Sequence, residues 1–326
     1  MGDIGRPDLL EKAAGIKDTA DKGAKQMFQS LKRFAELPDH VQVWPAHGAG
    51  SACGKALGAV PSSTVGYEKM ANWAFKHKNE DEFVKELLSD QPEPPVYFAE
   101  MKRVNKVGIK LLSDLQAVKR LSPTKEMIEN WINNNTTVID VRSFHEFSRG
   151  HIQGTINIPY TNSFTNWAGW FLEYDKPFYV IAEEGQIKNV IEDLHSIGID
   201  TLKGYMNTTI IERLEQEGLQ LQKYDQISAD DLQSKIEKNE VYVVDVRNES
   251  EYKQGAIPGS HHIMLGTLKG RINEIPTDKP VVATCQAGAR AAIATSILQA
   301  NGIMNVIHLR GGYSSWEKVK TPAKSC

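Results

Sequence analysis

The chain has 326 residues, 40 % of them hydrophobic and 24 % charged, with a formal net charge of -3. That balance excludes a disordered chain and a basic coat for nucleic acid, and the length asks for two or three domains rather than one core. No apolar run reaches the roughly 18 residues that cross a bilayer, and the opening MGDIGRPDLL has neither the basic nor the apolar region of a signal peptide, so a cytoplasmic protein with no membrane partner is expected. Cys53, Cys285 and Cys326 are odd in number and too far apart for a metal-binding CxxC, which leaves free thiols in a reducing compartment.

In chain order, residues 1–115 come first and carry three distinctive stretches: GDIGRPDLL at the start, WPAHGAGSACG from Trp44 and QPEPPVYFAEMKRVNKVG from Gln91. These resemble the C-terminal half of a metallo-β-lactamase-like αββα fold, in its persulfide dioxygenase branch. The resemblance implies that Asp3 is an iron ligand, the carboxylate of a two-histidine, one-carboxylate Fe(II) site, and that His47 lies near that metal. The histidine-rich stretch of such proteins would lie upstream of Met1, so the chain is expected to be N-terminally truncated and short of two ligands. A lone carboxylate does not hold a catalytic metal against water, and Fe(II) is therefore not expected to be retained. In that setting His47 and Cys53 read as structural residues, and apolar surface left uncovered would favour association into a homo-oligomer.

Residues 116–223 and 224–326 are two copies of one pattern. VIDVRSFHEFSRGHIQGTINIP, from Val138, aligns without a gap with VVDVRNESEYKQGAIPGSHHIM, from Val243, and KPFYVIAEEG, from Lys176, aligns with KPVVATCQAG, from Lys279. Each copy reads as apolar strands alternating with helices, which predicts a parallel, helix-covered α/β sheet with its ligand site at the carboxyl ends of the strands. In the second copy VYVVDV and VVAT are the strands. AAIATSILQANG is a helix with Ile293, Ile297 and Leu298 on one face and Gly302 past its end.

Between VVAT and that helix lies Cys285-Gln286-Ala287-Gly288-Ala289-Arg290. A sulfur placed at a helix start meets free N–H groups and the positive end of the helix dipole, and Arg290 adds a fixed positive charge. The small residues Ala287, Gly288 and Ala289 let the backbone curl around the sulfur, so the surroundings favour a thiolate and, after sulfur transfer, a persulfide anion. The bland alternative, a buried core thiol, does not account for a small-residue loop closed by arginine. In the first copy the same loop reads Ala182-Glu183-Glu184-Gly185-Gln186-Ile187. Cysteine and arginine are both absent, and two glutamates disfavour an anion.

CQAGAR, with DVRNESEY upstream and LRGGYSSW downstream, resembles the signature stretches of a single-domain rhodanese over roughly residues 226–319, and the first copy resembles the inactive rhodanese repeats of tandem proteins. The resemblance implies that Cys285 accepts sulfane sulfur, that Arg290 closes the loop, and that Gln286, Ala287, Gly288 and Ala289 bind the donor. It also implies that Asp245, Arg247, Gly311, Gly312 and Trp316 are structural. Loops one residue longer resemble phosphatases; this shorter one suits sulfur. The implied partners are thiosulfate, sulfite and low-molecular-weight thiol persulfides, with no cofactor, and the implied setting is sulfide detoxification. A sulfur-carrier or docking module without small-molecule turnover is the alternative.

Overall fold

The computed structural model describes residues 4–45, 62–91 and 93–320. The chain divides into two compact units, Met1–Lys102 and Arg103–Cys326.

The first unit contains helices α1 (Leu9–Ala14), α2 (Thr19–Ala35), α3 (Val65–Ala71) and α4 (Glu80–Leu88), with an antiparallel pair of strands, β1 (Gln42–Val43) and β2 (Ser63–Thr64). Ala24, Phe28 and Leu31 recur at helical spacing along α2 and pack on Phe83, Val84 and Leu87 of α4, with the Phe28 and Phe83 rings 5.2 Å apart. Thr64 and Asn79 cap α3 and α4 through side-chain oxygens that accept N–H groups of the first turn. Helix α5 (Phe98–Val107) spans the division and buries no residue.

The second unit holds both copies of the pattern. The first runs β3 (Lys119–Arg120), α6 (Lys125–Asn133), β4 (Val138–Asp140), α7 (Phe144–Arg149), β5 (Ile156–Asn157), α8 (Phe164–Phe171), β6 (Phe178–Ala182), α9 (Ile187–Ser196), β7 (Leu202–Asn207), α10 (Ile210–Gln216). The second runs β8 (Asp225–Ile227), α11 (Ala229–Glu237), β9 (Tyr242–Asp245), α12 (Glu249–Gln254), β10 (His261–His262), β11 (Val281–Thr284), α13 (Ala289–Ala300), β12 (Val306–Leu309), α14 (Gly312–Lys320), with a 3-10 segment at Leu265–Glu274. The two five-stranded sheets, ordered β3-β7-β6-β4-β5 and β8-β12-β11-β9-β10, are parallel throughout and share one topology. Their central strands are buried at every position but the half-buried Tyr179, which accounts for the unbroken apolar runs that precede each loop.

A single hydrophobic core joins the copies, drawing Phe164, Phe171 and Leu194 from one and Leu268, Ile293 and Ile297 from the other. Trp170 lies so close over Gly266 that a Cβ there would sit 2.6 Å from its ring. Helix α13 departs from the one-faced pattern expected for it: every residue from Ala291 to Gln299 is buried. The cause is tertiary. Strand β5 of the first copy flanks α13, where the Asn157 N–H donates to Ser296 Oγ at 3.0 Å, and Gln299 donates to the Lys223 carbonyl at 2.9 Å.

Candidate active site

Strand β11 delivers the loop to the middle of its sheet, between β9 and β12. Cys285 follows the strand directly and is 1 % exposed. Its sulfur turns into the loop, where the Gly288 N–H donates to Sγ at 3.1 Å. Gly288 has φ 107° and is the N-cap of α13. A side chain there would be strained by the left-handed backbone and crowded by His308 Nε2, 3.3 Å from the added Cβ. His308 Nε2 in turn donates to the Gly288 carbonyl at 2.9 Å, which fixes the peptide on the far side of the amide that meets the sulfur. Burial pushes the His308 imidazole below its ordinary range against the opposing pull of that bond, so it stays neutral.

The turn after β12 closes the loop from its other side. Tyr313 N–H donates to the Cys285 carbonyl at 2.7 Å and Ser314 N–H to the Gln286 carbonyl at 3.0 Å. Such an approach demands glycine at 312: its φ is 59°, and a Cβ would lie 2.2 Å from the Cys285 carbonyl oxygen. Gly311, at φ 74°, completes the turn, and Trp316 is buried behind it.

Charge is arranged in two tiers. Beneath the loop, the buried Arg247 guanidinium pairs with Asp245 at 2.8 Å, donates to the Gly255 carbonyl at 2.6 Å and to Gln286 Oε1 at 3.2 Å, and lies 4.1 Å from the centre of the Tyr313 ring. Gln286 Nε2 donates to Ser314 Oγ at 3.0 Å, so this side chain, expected to bind the donor, is a strut between Arg247 and the closing turn. At the rim, Arg290 binds Glu251 through both terminal nitrogens, each contact 2.7 Å. Burial works to raise the Glu251 carboxyl, but the bonds and charge of Arg290, the Asn248 N–H and the charge of Arg247 hold it below its ordinary range. Burial likewise opposes the charge of Arg290, and Glu251 first, then Cys285 and Asp245, outweigh it, so the guanidinium stays charged. The structure thus gathers Cys285, Gly288 and Arg290 in one loop, with Ala287 exposed on it and Ala289 opening α13.

Two members of this constellation were not legible beforehand. Glu251 stands three residues after Asn248 in a capping box, a pattern that explains a glutamate without any appeal to the loop. His308 is a lone histidine in an apolar strand, and only the strand register, Ala283 opposite His308, puts it under Gly288.

In the first copy the corresponding loop has other bonds. Ala182 ends β6 and Ile187 is buried in the core, while Glu183 and Glu184 are exposed. Tyr205, which the register places where His308 stands in the second copy, donates to Glu184 at 2.9 Å. The pair beneath the loop persists, with Arg142 and Asp140 2.7 Å apart.

Asp3, His47, Cys53 and Cys326 lie outside the described residues. Among the described residues no group of three or more His, Cys, Asp or Glu side chains is placed to hold a metal ion, so they offer no iron site, and no helix is long and apolar enough to cross a membrane.

Comparison with known proteins agrees with this geometry. The model of the rhodanese-like domain matches residues 124–211 and again 228–319. The chain is similar to a sulfurtransferase of Allochromatium vinosum, 34 % identical over 98 residues that make up 30 % of this chain and 92 % of that one. It is also similar to the protein YqhL of Bacillus subtilis, 42 % identical over 74 residues, covering 23 % of this chain and 59 % of that one. Among solved structures, a metallo-beta-lactamase from Staphylococcus aureus subsp. aureus COL superposes with a TM-score of 0.52 at 42 % identity; the match covers 64 % of this chain, which spans 55 % of the length of that one. Two matched domains occupying more than half of the residues, on two sheets of one topology, decide the classification: this chain belongs to the rhodanese-like family, with two such domains in tandem alongside a metallo-β-lactamase-like region.

Proposed function

We propose that the chain is a sulfurtransferase whose second rhodanese-like domain carries sulfane sulfur on Cys285. The observation that supports this above all others is the Gly288 N–H aimed at Cys285 Sγ from the start of α13, because a negative sulfur, bare or persulfidated, is stabilised there by an amide and by the helix dipole. In the first half-reaction the Cys285 thiolate attacks the outer sulfur of thiosulfate or of a low-molecular-weight persulfide. The donor S–S bond breaks, sulfite or the thiolate leaves with the bonding pair, and a new S–S bond forms on Cys285. In the second half-reaction sulfite, a thiol or cyanide attacks the outer sulfur of that persulfide and restores the thiolate. Electrons and atoms balance without an external oxidant.

Arg247 and Gln286 hold the loop closed from below, His308 fixes the Gly288 peptide, and Arg290 closes the rim with its charge paired to Glu251. The first domain, without cysteine or arginine in its loop, acts as the second wall of α13. The metallo-β-lactamase-like region supports a setting in sulfide detoxification, in which oxidation of a thiol persulfide would supply sulfite as acceptor.

Intact mass after thiosulfate treatment tests the proposal. A gain of one sulfur, about 32 Da, is expected on the wild type and not on Cys285→Ser, together with loss of thiosulfate:cyanide and persulfide:sulfite transfer in the variant. Equal activity of the variant would remove Cys285 from the mechanism. A persulfide that forms but passes to no small acceptor would instead favour the sulfur-carrier reading.

A further inference from the structure

The two copies place a glutamate at the same position, third in the helix after the DVR strand, and use it differently. Glu146 in α7 turns back on its own N-cap: Ser143 Oγ donates to it at 2.6 Å and Ser143 N–H at 3.2 Å. Residue 187, which stands where Arg290 does, is isoleucine in that copy and buried. In α12 the N-cap is Asn248, and Glu251 accepts its N–H at 3.0 Å. The carboxylate also reaches across to the loop and takes both terminal nitrogens of Arg290. The Glu251 and Arg290 side chains are 28 % and 20 % exposed, so this pair stands at the rim of the loop while the sulfur lies below it.

We infer that Glu251 determines which donors the site accepts: by pinning and neutralising Arg290 it leaves the mouth above Cys285 without net positive charge, which suits singly charged thiol persulfides over the thiosulfate dianion. The inference rests on the proposed sulfurtransferase reading and deepens it. Bidentate binding to Glu251 fixes the guanidinium plane and leaves its remaining N–H groups free for a donor. Were Arg290 unpaired, the mouth would attract a dianion more strongly than a monoanion, by one further charge-charge interaction in a partly desolvated setting.

The test compares kcat/KM for thiosulfate with kcat/KM for 2-hydroxyethyl persulfide, each with cyanide as acceptor, on the full chain. Glu251→Gln keeps one acceptor for Arg290 and removes the charge, so the thiosulfate-to-persulfide ratio should rise about tenfold. Glu251→Asp keeps the charge and shortens the reach. It should lower both kcat/KM values with the ratio unchanged, and Glu146→Gln should alter neither. An unchanged ratio in Glu251→Gln, or an equal rise in Glu251→Asp, overturns the inference. A second measurement needs no variant: thiosulfate kcat/KM of the wild type should fall less than about threefold from low to high salt, and a steep fall would show a positively charged mouth and overturn it. Failure of Cys285 to gain sulfur at all is read separately, by mass, and strikes the underlying reading.

Discussion

The two rhodanese-like domains make an internal experiment in which the scaffold is held constant and the loop is changed. Both keep a five-stranded parallel sheet of one topology, and both lock the end of the DVR strand with an aspartate-arginine pair, 2.7 Å in one and 2.8 Å in the other. What differs is what surrounds the loop. In the second domain the Gly311-Gly312 turn, Gln286, His308 and Glu251 converge on Cys285 to Arg290. In the first, Thr209 takes φ -60° where the register asks for Gly312, and the helix that follows starts without touching Ala182 or Glu183 through its amides. The fold therefore depends on the strands and the ionic lock, whereas the closed loop is a feature that the fold tolerates losing.

The sharpest way to break this comparison is to move the thiol. Cys285→Ser should lower sulfur transfer about a thousandfold or more, to background. Ala182→Cys in that variant should restore none of it, since Glu183 and Glu184 are exposed beside the new thiol and residue 187 is isoleucine. Transfer restored by Ala182→Cys would show that any thiol at the end of this strand suffices, and the contrast between the loops would lose its meaning.

The closing turn comes next. Gly312→Ala puts a methyl group where the Cys285 carbonyl stands, 2.2 Å away, and in a left-handed backbone. A loss of about 1–3 kcal/mol in stability and about a hundredfold in kcat is expected, as the loop is pushed out of position. Thr209→Ala, at the matching place in the first domain, should change kcat by less than about twofold if the proposed division of labour holds. Kinetics of both variants beside urea unfolding separate a displaced loop from a lost fold.

Much of this was open to inspection in the sequence, for reasons that can be named. The repeat is legible because a strand buried on both faces must be apolar throughout and the DVR lock follows it at a fixed place in each copy. Cys285 and Arg290 are legible because a small-residue loop before a helix has few other purposes. The all-round burial of α13 is not. Ala291, Thr295 and Ser296 read as a polar or neutral face, and the helix is covered in part by the edge strand of the other domain, more than a hundred residues away, whose Asn157 N–H meets Ser296. Glu251 escaped because its local capping pattern is complete without Arg290, and Glu146 shows that the same pattern can indeed close on itself.

Acid distinguishes the domains in a further way. His151 in the first domain, aligned with Ala256 in the second, stacks on Phe147 with ring centres 3.8 Å apart. Burial, against the opposing pull of the bond to the Phe147 carbonyl, lowers it to about 4. Its folded value lies below the unfolded one, so the unfolded chain binds the proton more readily and stability is lost as pH falls from about 6.5 towards 4. The loss should approach about 3 kcal/mol at the lower end. His308, also held below its ordinary range by burial, contributes in the same direction, so His151→Phe should lessen the fall of urea midpoints across that window without abolishing it; an unaltered pH dependence would assign the acid sensitivity to other groups. Glu251, whose carboxyl is held below its ordinary range, titrates at lower pH and does not account for a change that begins near 6.5.

The smallest expected effect examines the seam between the domains. Ser296 Oγ donates to the Ile293 carbonyl and accepts the edge-strand N–H of Asn157, so Ser296→Ala leaves a buried amide without its acceptor. A cost of about 1–2 kcal/mol follows, equivalent to about 2–8 °C in Tm for a unit of this size. If the first domain serves as the wall of α13, that loss should appear in a single cooperative transition that takes both domains down together, with kcat changed by less than about twofold because the loop is anchored from below by Arg247 and His308 rather than from the seam. Two separate transitions, only one of them shifted, would mean that the shared core does not couple the domains. The first copy would then have to be explained by something other than support of the second.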